Sequence, residues 1–299
     1  MEREDLAATG LSVRDIAVSF GGIRALESVS VDVAPGEVLG VIGPNGAGKT
    51  TLFNVICGFV RPDSGTLRWR GSPMARVHPD RLASLGIART LQGVGLFGGL
   101  TVLENVMIGA HRFRRSPLAS AMLGLPWSDI DERLLRERAL AALARVGCED
   151  AADRLPRTLP YAVQKRVALA RALAGEPELL LLDEPAGGLD ARELTELGEL
   201  IGSFGSSVAV MLVDHHMDFV VSVCDRVVVL DFGRIIADGE PSAVQQNPRV
   251  LEAYLGREAS EATEATEAGD AAGATEAGDA AGATEAGGAA ANGAEDAHG

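Results

Sequence analysis

The sequence predicts an α/β fold with a mixed central sheet, on three observations. A glycine-rich loop separates an apolar stretch over 37–42 from another over 52–57, which is the order of a strand, a loop and a helix. Four leucines over 179–182 end in an acidic pair, and an apolar stretch over 208–213 ends in an aspartate and two histidines. Apolar runs of this length are typical of strands buried on both faces, so we expect parallel strands that carry polar residues at their ends.

The glycine-rich loop fits the spacing G-x-x-x-x-G-K-[ST] of a phosphate-binding loop. Its residues are Gly43, Pro44, Asn45, Gly46, Ala47, Gly48, Lys49, Thr50 and Thr51. In such a loop, backbone N–H groups surround the phosphates, the lysine contacts the β- and γ-phosphates, and the next hydroxyl binds Mg²⁺. The alternative is a glycine-rich turn that contains Lys-Thr by chance. A chain that uses arginine almost everywhere else, with lysine only at 49 and 165, favours the nucleotide site.

The polar residues after the other two strands supply the remaining groups of a hydrolytic site. Ligands of an open α/β sheet bind at the carboxyl ends of its strands. We therefore predict that Asp183 holds Mg²⁺ and that Glu184 polarises the attacking water, against the alternative of a solvated turn. His215 is predicted to donate to a γ-phosphate oxygen, and the alternative is a structural histidine. His216 receives no role.

Composition and charge exclude several classes of protein. The chain has 299 residues, 46% hydrophobic and 23% charged, which is enough for a large core in one or two domains. No apolar stretch approaches the roughly 20 residues of a membrane span, and the N-terminus is unlike a signal peptide, so we expect a cytoplasmic protein. The isolated cysteines Cys57, Cys148 and Cys224 indicate buried free thiols.

The C-terminal stretch over 257–299 carries most of the net charge of −15. It contains ten acidic residues and one arginine, which leaves −6 on the rest of the chain. The nine residues over 265–273 recur over 274–282, and their small and acidic side chains have nothing to bury. We expect a disordered tail, with a partner-binding arm as the alternative. The chain has no basic stripe, so we predict no nucleic-acid binding.

Periodicity and cap residues predict the other elements. Strands are expected over 11–20, 29–33, 37–42, 227–230 and 235–236, with a hairpin over 64–72. Thr101 and Glu104 form a capping box for one helix. A second helix is predicted over Asp131–Val146, ended by Gly147, and a third from Pro160 to Leu173. The apolar face predicted for the second helix consists of Leu134, Leu135, Leu140, Leu143 and Val146. A short amphipathic helix should end near 254–256.

These motifs together resemble the ATP-binding subunits of ABC transporters. The stretches over 20–26, 89–92, 96–106 and 247–256 are most similar to the branched-chain amino acid importer subunits, and an insertion around 112–130 is similar to that of the longer such subunit. The resemblance implies a P-loop NTPase core with a mixed sheet, an antiparallel β subdomain and a helical subdomain at about 93–165. The ATPase domain then spans 10–256, and the disordered tail spans 257–299.

The resemblance also implies a role for each motif. The phosphate loop becomes the Walker A loop, and Phe20 stacks on the adenine ring. Gln92 becomes the Q-loop glutamine, which senses Mg²⁺ and the attacking water. Asp183 and Glu184 become the Walker B aspartate and the catalytic base. Asp190 belongs to the D-loop over 187–190, and His215 becomes the switch histidine.

One motif departs from the family pattern. The signature Leu-Ser-Gly-Gly-Gln, which contacts the γ-phosphate bound by the other subunit, corresponds here to Leu159–Val163. Pro160 offers neither a hydroxyl nor an N–H group, and Ala162 adds a methyl where the backbone must approach closely. Pro160 and Tyr161 are mild departures, whereas Ala162 is less expected. We therefore expect a weak half-interface that a second, different ATPase subunit compensates.

The resemblance further implies an assembly. Two ATPase subunits hold two Mg-ATP molecules against two membrane permeases, at the cytoplasmic face of the membrane, and an extracytoplasmic solute-binding protein delivers the cargo. Branched-chain amino acids are the expected cargo, and urea, other amides or other amino acids are the alternative. A P-loop kinase would lack the acidic pair followed by a strand and His215. A non-transport ABC protein usually carries two cassettes or a coiled-coil insertion.

Overall fold

Two β-sheets organise the part of the chain that the computed structural model describes, residues 10–74, 78–90, 93–114 and 126–254. The strands are β1 Leu11–Phe20, β2 Ile23–Val33, β3 Val38–Ile42, β4 Ser64–Trp69, β5 Ser72–Pro73, β6 Ile87–Arg89, β7 Leu179–Asp183, β8 Ala209–Val213, β9 Arg226–Asp231 and β10 Arg234–Gly239. The helices are α1 Lys49–Ile56, α2 Val102–Gly109, α3 Pro126–Arg145, α4 Tyr161–Leu173, α5 Ala191–Gly202, α6 Met217–Val223 and α7 Pro241–Gln245. Short 3₁₀ turns lie at Pro79–Arg81, Ala83–Leu85, Ala110–Phe113, Glu149–Ala151, Pro156–Thr158 and Gly205–Ser207.

The larger sheet has six strands in the order β10-β9-β3-β8-β7-β6. Strand β3 pairs in parallel with β8 and β9, and β7 pairs in parallel with β8 and β6. Only β10 runs antiparallel within this sheet, so the predicted mixed sheet is confirmed. The parallel register places Asp183 opposite Val213, so the carboxyl ends of β3, β7 and β8 meet at one edge. The predicted site residues follow these three ends.

The alternation of side chains along the buried strands divides the core into two clusters. Leu179 and Leu181 of β7 contact one cluster, and Leu180 and Leu182 contact the other. The first cluster lies between the two sheets and includes α1, and the second packs beneath the helices of the opposite face. Each of these four leucines is at most 2% exposed, which explains their continuous run in the sequence.

The smaller, antiparallel sheet has the order β2-β1-β4-β5 and includes the predicted hairpin, because Trp69 pairs with Ser72. The prediction for its second strand was too short. Strand β2 begins at Ile23 rather than at 29, since Gly21 and Gly22 adopt positive φ and fold the chain directly back onto β1. The first residues of β2 are exposed, so their sequence lacks the alternation by which a half-buried strand is recognised.

Helices α2, α3 and α4 pack together on the second core cluster. The capping box is confirmed, because the Thr101 hydroxyl accepts from the Glu104 backbone N–H while the Glu104 carboxylate accepts from the Thr101 N–H. Helix α3 begins at Pro126, five residues earlier than predicted, and Gly147 follows its end at a φ of 64°. Its predicted apolar face was partly wrong. Leu140 is 37% exposed, whereas Ala139 and Ala142 are buried in the core cluster on which the helices pack.

The C-terminal part of the described chain ends with α7 and a helical segment over 248–254, where the short helix was expected. Cys57, Cys148 and Cys224 are buried free thiols, as predicted. Among the described residues no helix combines the length and the apolar character that a membrane crossing requires. Gln92, the middle of the insertion and the repeat tail over 257–299 lie outside the described residues.

Candidate nucleotide-binding and hydrolysis site

The phosphate loop connects the end of β3 to the first residue of α1, Lys49. Gly43 and Gly48 adopt φ values of 148° and 106°, which other residues rarely adopt. A Cβ atom at Gly43 would lie 2.1 Å from the Leu230 carbonyl oxygen, and one at Gly48 would lie 2.6 Å from the Ala25 carbonyl oxygen. Both glycines are therefore required by close backbone contacts as well as by backbone conformation.

Lys49 folds back over the loop that precedes it. Its Nζ atom donates to the carbonyl oxygens of Gly43, at 2.6 Å, and Pro44, at 2.9 Å. Thr50 is exposed, and Thr51 is half-buried in the first turn of α1. The start of α1 thus presents an ammonium group, a hydroxyl group and helix N–H groups together, which is the combination that binds phosphate.

Two distant segments support the phosphate loop, and neither contact was predicted from the sequence. Between β9 and β10, the Gly233 N–H donates to the Ala47 carbonyl at 2.9 Å, and the Gly233 carbonyl accepts from the Glu27 N–H at 2.8 Å. Near the end of the described chain, Tyr254 packs at the same loop. Burial raises the pKa of the Tyr254 hydroxyl to about 12, and a hydrogen bond with the Gly43 backbone opposes that rise.

Asp183 ends β7 with its carboxylate buried and paired with an arginine. Its Oδ2 atom accepts from Arg89 Nη2 at 2.8 Å, and only 14% of the Arg89 side chain and 7% of the Asp183 side chain are exposed. The Asp183 backbone N–H donates to the Thr90 hydroxyl at 3.3 Å. Arg89 is the last residue of β6 and Thr90 follows it, so the end of this strand holds Asp183 through both its side chain and its backbone.

Glu184 adopts a left-handed conformation, with a φ of 49° that is uncommon for a residue with a side chain. Its N–H donates to the Val213 carbonyl at 2.8 Å. Lys165 of α4 donates to the carbonyl oxygens of Glu184, at 3.3 Å, and Pro185, at 2.7 Å. Burial lowers the pKa of Lys165, and the nearby charges of Asp214 and Glu184 oppose that shift. The second lysine of the chain therefore supports the turn that carries Glu184.

Asp214 is fully buried and joins the two loops that follow β7 and β8. Its Oδ2 atom accepts from the Ala186 N–H at 2.8 Å, and its Oδ1 atom accepts from the N–H groups of His215, at 2.8 Å, and His216, at 3.0 Å. The His216 ring also binds Oδ1 through Nδ1, at 2.7 Å. His215 is the more exposed of the two, with 56% of its side chain accessible. The His216 ring is therefore held by Asp214, whereas the His215 ring lies 3.9 Å from the same carboxylate and keeps more than half of its side chain exposed.

The signature segment begins α4, with Pro160 as the residue before its first turn. The Gln164 side chain donates to the Leu159 carbonyl at 2.9 Å, and Tyr161 is 43% exposed. The Tyr161 ring lies against Gly188, where an added Cβ would approach Cε1 to 3.0 Å. Asp190 accepts from the Glu193 N–H at 2.8 Å and caps α5. The signature and D-loop segments of one chain are therefore in direct contact.

Most predicted site residues follow the carboxyl ends of the parallel strands, although they come from separate parts of the chain. The phosphate loop, Asp183, Glu184 and His215 follow β3, β7 and β8, as expected. Phe20 is 52% exposed at the end of β1, in the other sheet. Sequence reasoning assigned no role to Arg89, three residues before Gln92, to Asp214, which directly precedes His215, or to the more distant Gly233.

Comparisons with known proteins agree with this geometry. The family model described as "ABC transporter" matches residues 26–187, and that of the "Branched-chain amino acid ATP-binding cassette transporter" matches residues 234–260. The chain is 37% identical to the high-affinity branched-chain amino acid transport ATP-binding protein LivG of Escherichia coli K12, over 82% of this chain and 97% of LivG. It is also 37% identical to BraF of Pseudomonas aeruginosa, over 86% of this chain and 99% of BraF.

Solved structures give the same result. The ADP conformation of MJ1267, an ATP-binding cassette of an ABC transporter, matches with a TM-score of 0.73 and 32% identity, over 83% of this chain and 98% of MJ1267. A dimer of MJ0796 in a post-hydrolysis state with ADP and Pi matches with a TM-score of 0.64 and 25% identity, over 77% of this chain and 98% of MJ0796. The chain therefore belongs to the ATP-hydrolysing, ATP-binding subunits of ABC transporters, in the group that includes LivG and BraF.

Proposed function

We propose that ATP hydrolysis in this chain takes place where β3, β7 and β8 end, with Glu184 as the general base. The observation that carries this proposal is the shared edge, which holds the phosphate loop, the acidic pair and His215. Lys49 binds the β- and γ-phosphates once its bonds to the loop carbonyls are exchanged for phosphate oxygens. Glu184 polarises the attacking water, and His215 donates to the γ-phosphate.

The residues of this edge fit a magnesium ion. Mg²⁺ is a hard cation that prefers oxygen ligands, and Thr50 and Asp183 offer a hydroxyl and a carboxylate. We assign these two residues and Gln92 to the metal and Phe20 to the adenine ring. Bound Mg²⁺ supplies charge neutralisation on the phosphates. The close trio Asp214, His215 and His216 is a poorer metal site, because the Asp214 oxygens already accept four hydrogen bonds.

The Glu184→Gln variant tests the assignment of the base. We expect ATP turnover to fall by at least about a hundredfold with nucleotide affinity retained, since a general base typically contributes 10²–10⁴-fold. Glu178→Gln is the matched control. Glu178 precedes the same strand at its other end and pairs with Arg70 at the surface, so that variant should keep its turnover. Normal turnover in Glu184→Gln would reject the assignment.

We further propose that this ATPase powers uptake of branched-chain amino acids. The names of LivG and BraF, together with the match of the C-terminal family model, support this cargo. The partners in this proposal are two membrane permeases at the cytoplasmic face of the membrane and an extracytoplasmic solute-binding protein. Uptake of labelled leucine, isoleucine, valine and urea in a deletion strain is the test. Loss of urea uptake alone would favour another cargo for the same ATPase.

The second ATPase subunit is part of the same proposal. In a dimer, the segment over Leu159–Val163 and Asp190 contact the nucleotide that the other subunit binds. The contact on this side is weak, because its residues are Pro160, Tyr161 and Ala162. A different subunit with a complete signature compensates for this weak contact. Ala162→Gly should raise the ATPase rate of the reconstituted transporter, because one lost phosphate contact costs on the order of 1–3 kcal/mol. An unchanged rate would argue against a weak half-interface.

The tail over 257–299 remains outside this ATPase domain in our proposal.

A further inference from the structure

The Arg89 side chain is 14% exposed and lies between α1 and the end of β7. Its Nη1 atom donates to Asn54 Oδ1 and its Nη2 atom to Asp183 Oδ2, each at 2.8 Å. Asn54 belongs to α1, the helix that begins with Lys49, and Asp183 ends β7. The guanidinium carbon lies 5.9 Å from the ring centre of Phe53 and 5.7 Å from that of Phe59. Arg89 is therefore held in one place by hydrogen bonds and by two aromatic rings.

The Arg89–Asp183 pair joins charges that would be costly to bury alone. A buried carboxylate that loses its partner destabilises a protein strongly, so the guanidinium offsets the charge of Asp183. The Nε atom of Arg89 is also buried and has no hydrogen-bond partner among the described residues. The position of this arginine therefore leaves one buried N–H donor unsatisfied, which costs free energy. The carboxylate that Arg89 holds is the one that we assign to Mg²⁺.

Arg89 and Mg²⁺ place positive charge at the same carboxylate. The guanidinium occupies one oxygen of Asp183, and its charge opposes the approach of a second cation in a site with little water to screen them. We propose that Arg89 is a positioning residue that serves as the counter-ion of Asp183 before Mg²⁺ binds, and that it thereby raises the Mg²⁺ concentration required for Mg-nucleotide binding. This inference rests on the proposed metal role of Asp183.

The proposal assigns Arg89 two linked effects. It offsets the negative charge of the buried Asp183 carboxylate when no metal is bound, and it weakens the affinity of that carboxylate for the ion.

The test measures binding of a fluorescent ADP to the full chain while Mg²⁺ is titrated, so that no turnover is required. In Arg89→Gln we expect the half-saturating Mg²⁺ concentration to fall about threefold or more, because a competing unit charge is removed from a buried site. Arg226→Gln is the matched control. Arg226 is a half-buried arginine paired with Glu37 and Asp238 at the amino ends of β3 and β9, so its loss should leave the Mg²⁺ requirement unchanged.

If Arg89→Gln does not fold, the same Mg²⁺ titration is performed with Arg89→Lys. A lysine ammonium lacks the planar fork that holds Asn54 and Asp183 together, so the Mg²⁺ requirement should again fall, by a smaller factor. An unchanged or higher requirement in the folded variants would overturn the role of Arg89. If wild-type binding is instead independent of Mg²⁺ and of Asp183→Asn, the proposed metal site itself fails, which is a separate result.

Discussion

The Nζ atom of Lys165 donates a 2.7 Å hydrogen bond to the carbonyl oxygen of Pro185. Lys165 lies in the first turns of the signature helix α4, and Pro185 follows the proposed base Glu184. The same ammonium reaches the Glu184 carbonyl and lies 5.4 Å from the centre of the Tyr161 ring. One side chain therefore connects the signature segment with the turn that carries Glu184.

Replacement of Lys165 by methionine should lower turnover more than binding. The turn that carries Glu184 loses two hydrogen bonds, and small displacements of a reacting group reduce rates by about ten- to a hundredfold. Nucleotide affinity should hold, because the contacts of the phosphate loop are untouched. Steady-state ATPase assays and equilibrium nucleotide binding separate the two quantities. Arg192→Met, which removes an exposed cation from α5, is the control. An affinity loss equal to the rate loss would contradict this role.

Gly233→Ala should weaken nucleotide binding although Gly233 touches no predicted ligand atom. Its φ is 75°, and an added Cβ would lie 2.7 Å from the Ala25 carbonyl, so the turn must shift and release the Ala47 carbonyl of the phosphate loop. We expect affinity to fall on the order of tenfold, measured by titration with a fluorescent nucleotide. Gly239→Ala in the same hairpin meets open space and should bind normally. Equal affinities for the two variants would refute the support role.

Asp214→Asn should destabilise the fold. The Oδ1 atom accepts two backbone N–H groups and the His216 ring, and a neutral amide satisfies these donors less well. We expect the free energy of unfolding to fall by about 1–3 kcal/mol in urea titrations, the range for hydrogen bonds to a buried charged group. Asp218→Asn, four residues later and exposed, should change stability by less than about 0.5 kcal/mol. An unchanged free energy of unfolding in Asp214→Asn would mean that the hydrogen bonds of this carboxylate contribute little to stability.

Cys224 should make stability depend on alkaline pH. Burial is the main cause that raises the pKa of its thiol from the ordinary 9.0 to about 12, and the charges of Asp225 and Asp214 add to that rise. As the pH rises above about 9, the unfolded chain loses this proton while the native protein keeps it, so the unfolded state gains stability. The contribution of the Cys224 thiol to the free energy of unfolding should therefore decrease as the pH rises.

Stability differences between the wild type and Cys224→Ala test this linkage. The decrease in the free energy of unfolding that Cys224→Ala causes, measured in urea titrations, should become smaller from about pH 8 to about pH 10.5. Val220 also lies next to Gly40 and is buried, but its side chain does not titrate. The decrease in the free energy of unfolding caused by Val220→Ala should therefore not change with pH. Parallel pH dependences in the two variants would show that the thiol does not titrate as the structure indicates.

Several features were predictable because they depend on neighbours in the chain. The Thr101–Glu104 capping box requires only residues three apart, and the structure contains it. The boundary of β2 and the apolar face of α3 were predicted less well. Ile23 is in a strand only because Gly21 and Gly22 fold it back onto β1, and the core contacts Ala139 and Ala142 of α3 while Leu140 stays exposed.

The phosphate loop, the acidic pair at the end of β7 and the histidine after β8 could be predicted from the amino-acid sequence, since each is a short motif at the end of a buried strand. The contacts that hold those groups became visible only in the folded chain. Arg89 and Asp183 are 94 residues apart, Lys165 and Pro185 are 20 apart, and Gly233 reaches the phosphate loop from another strand. Such contacts depend on strand order and on side-chain packing across the sheet, and periodicity along one segment carries no information about either.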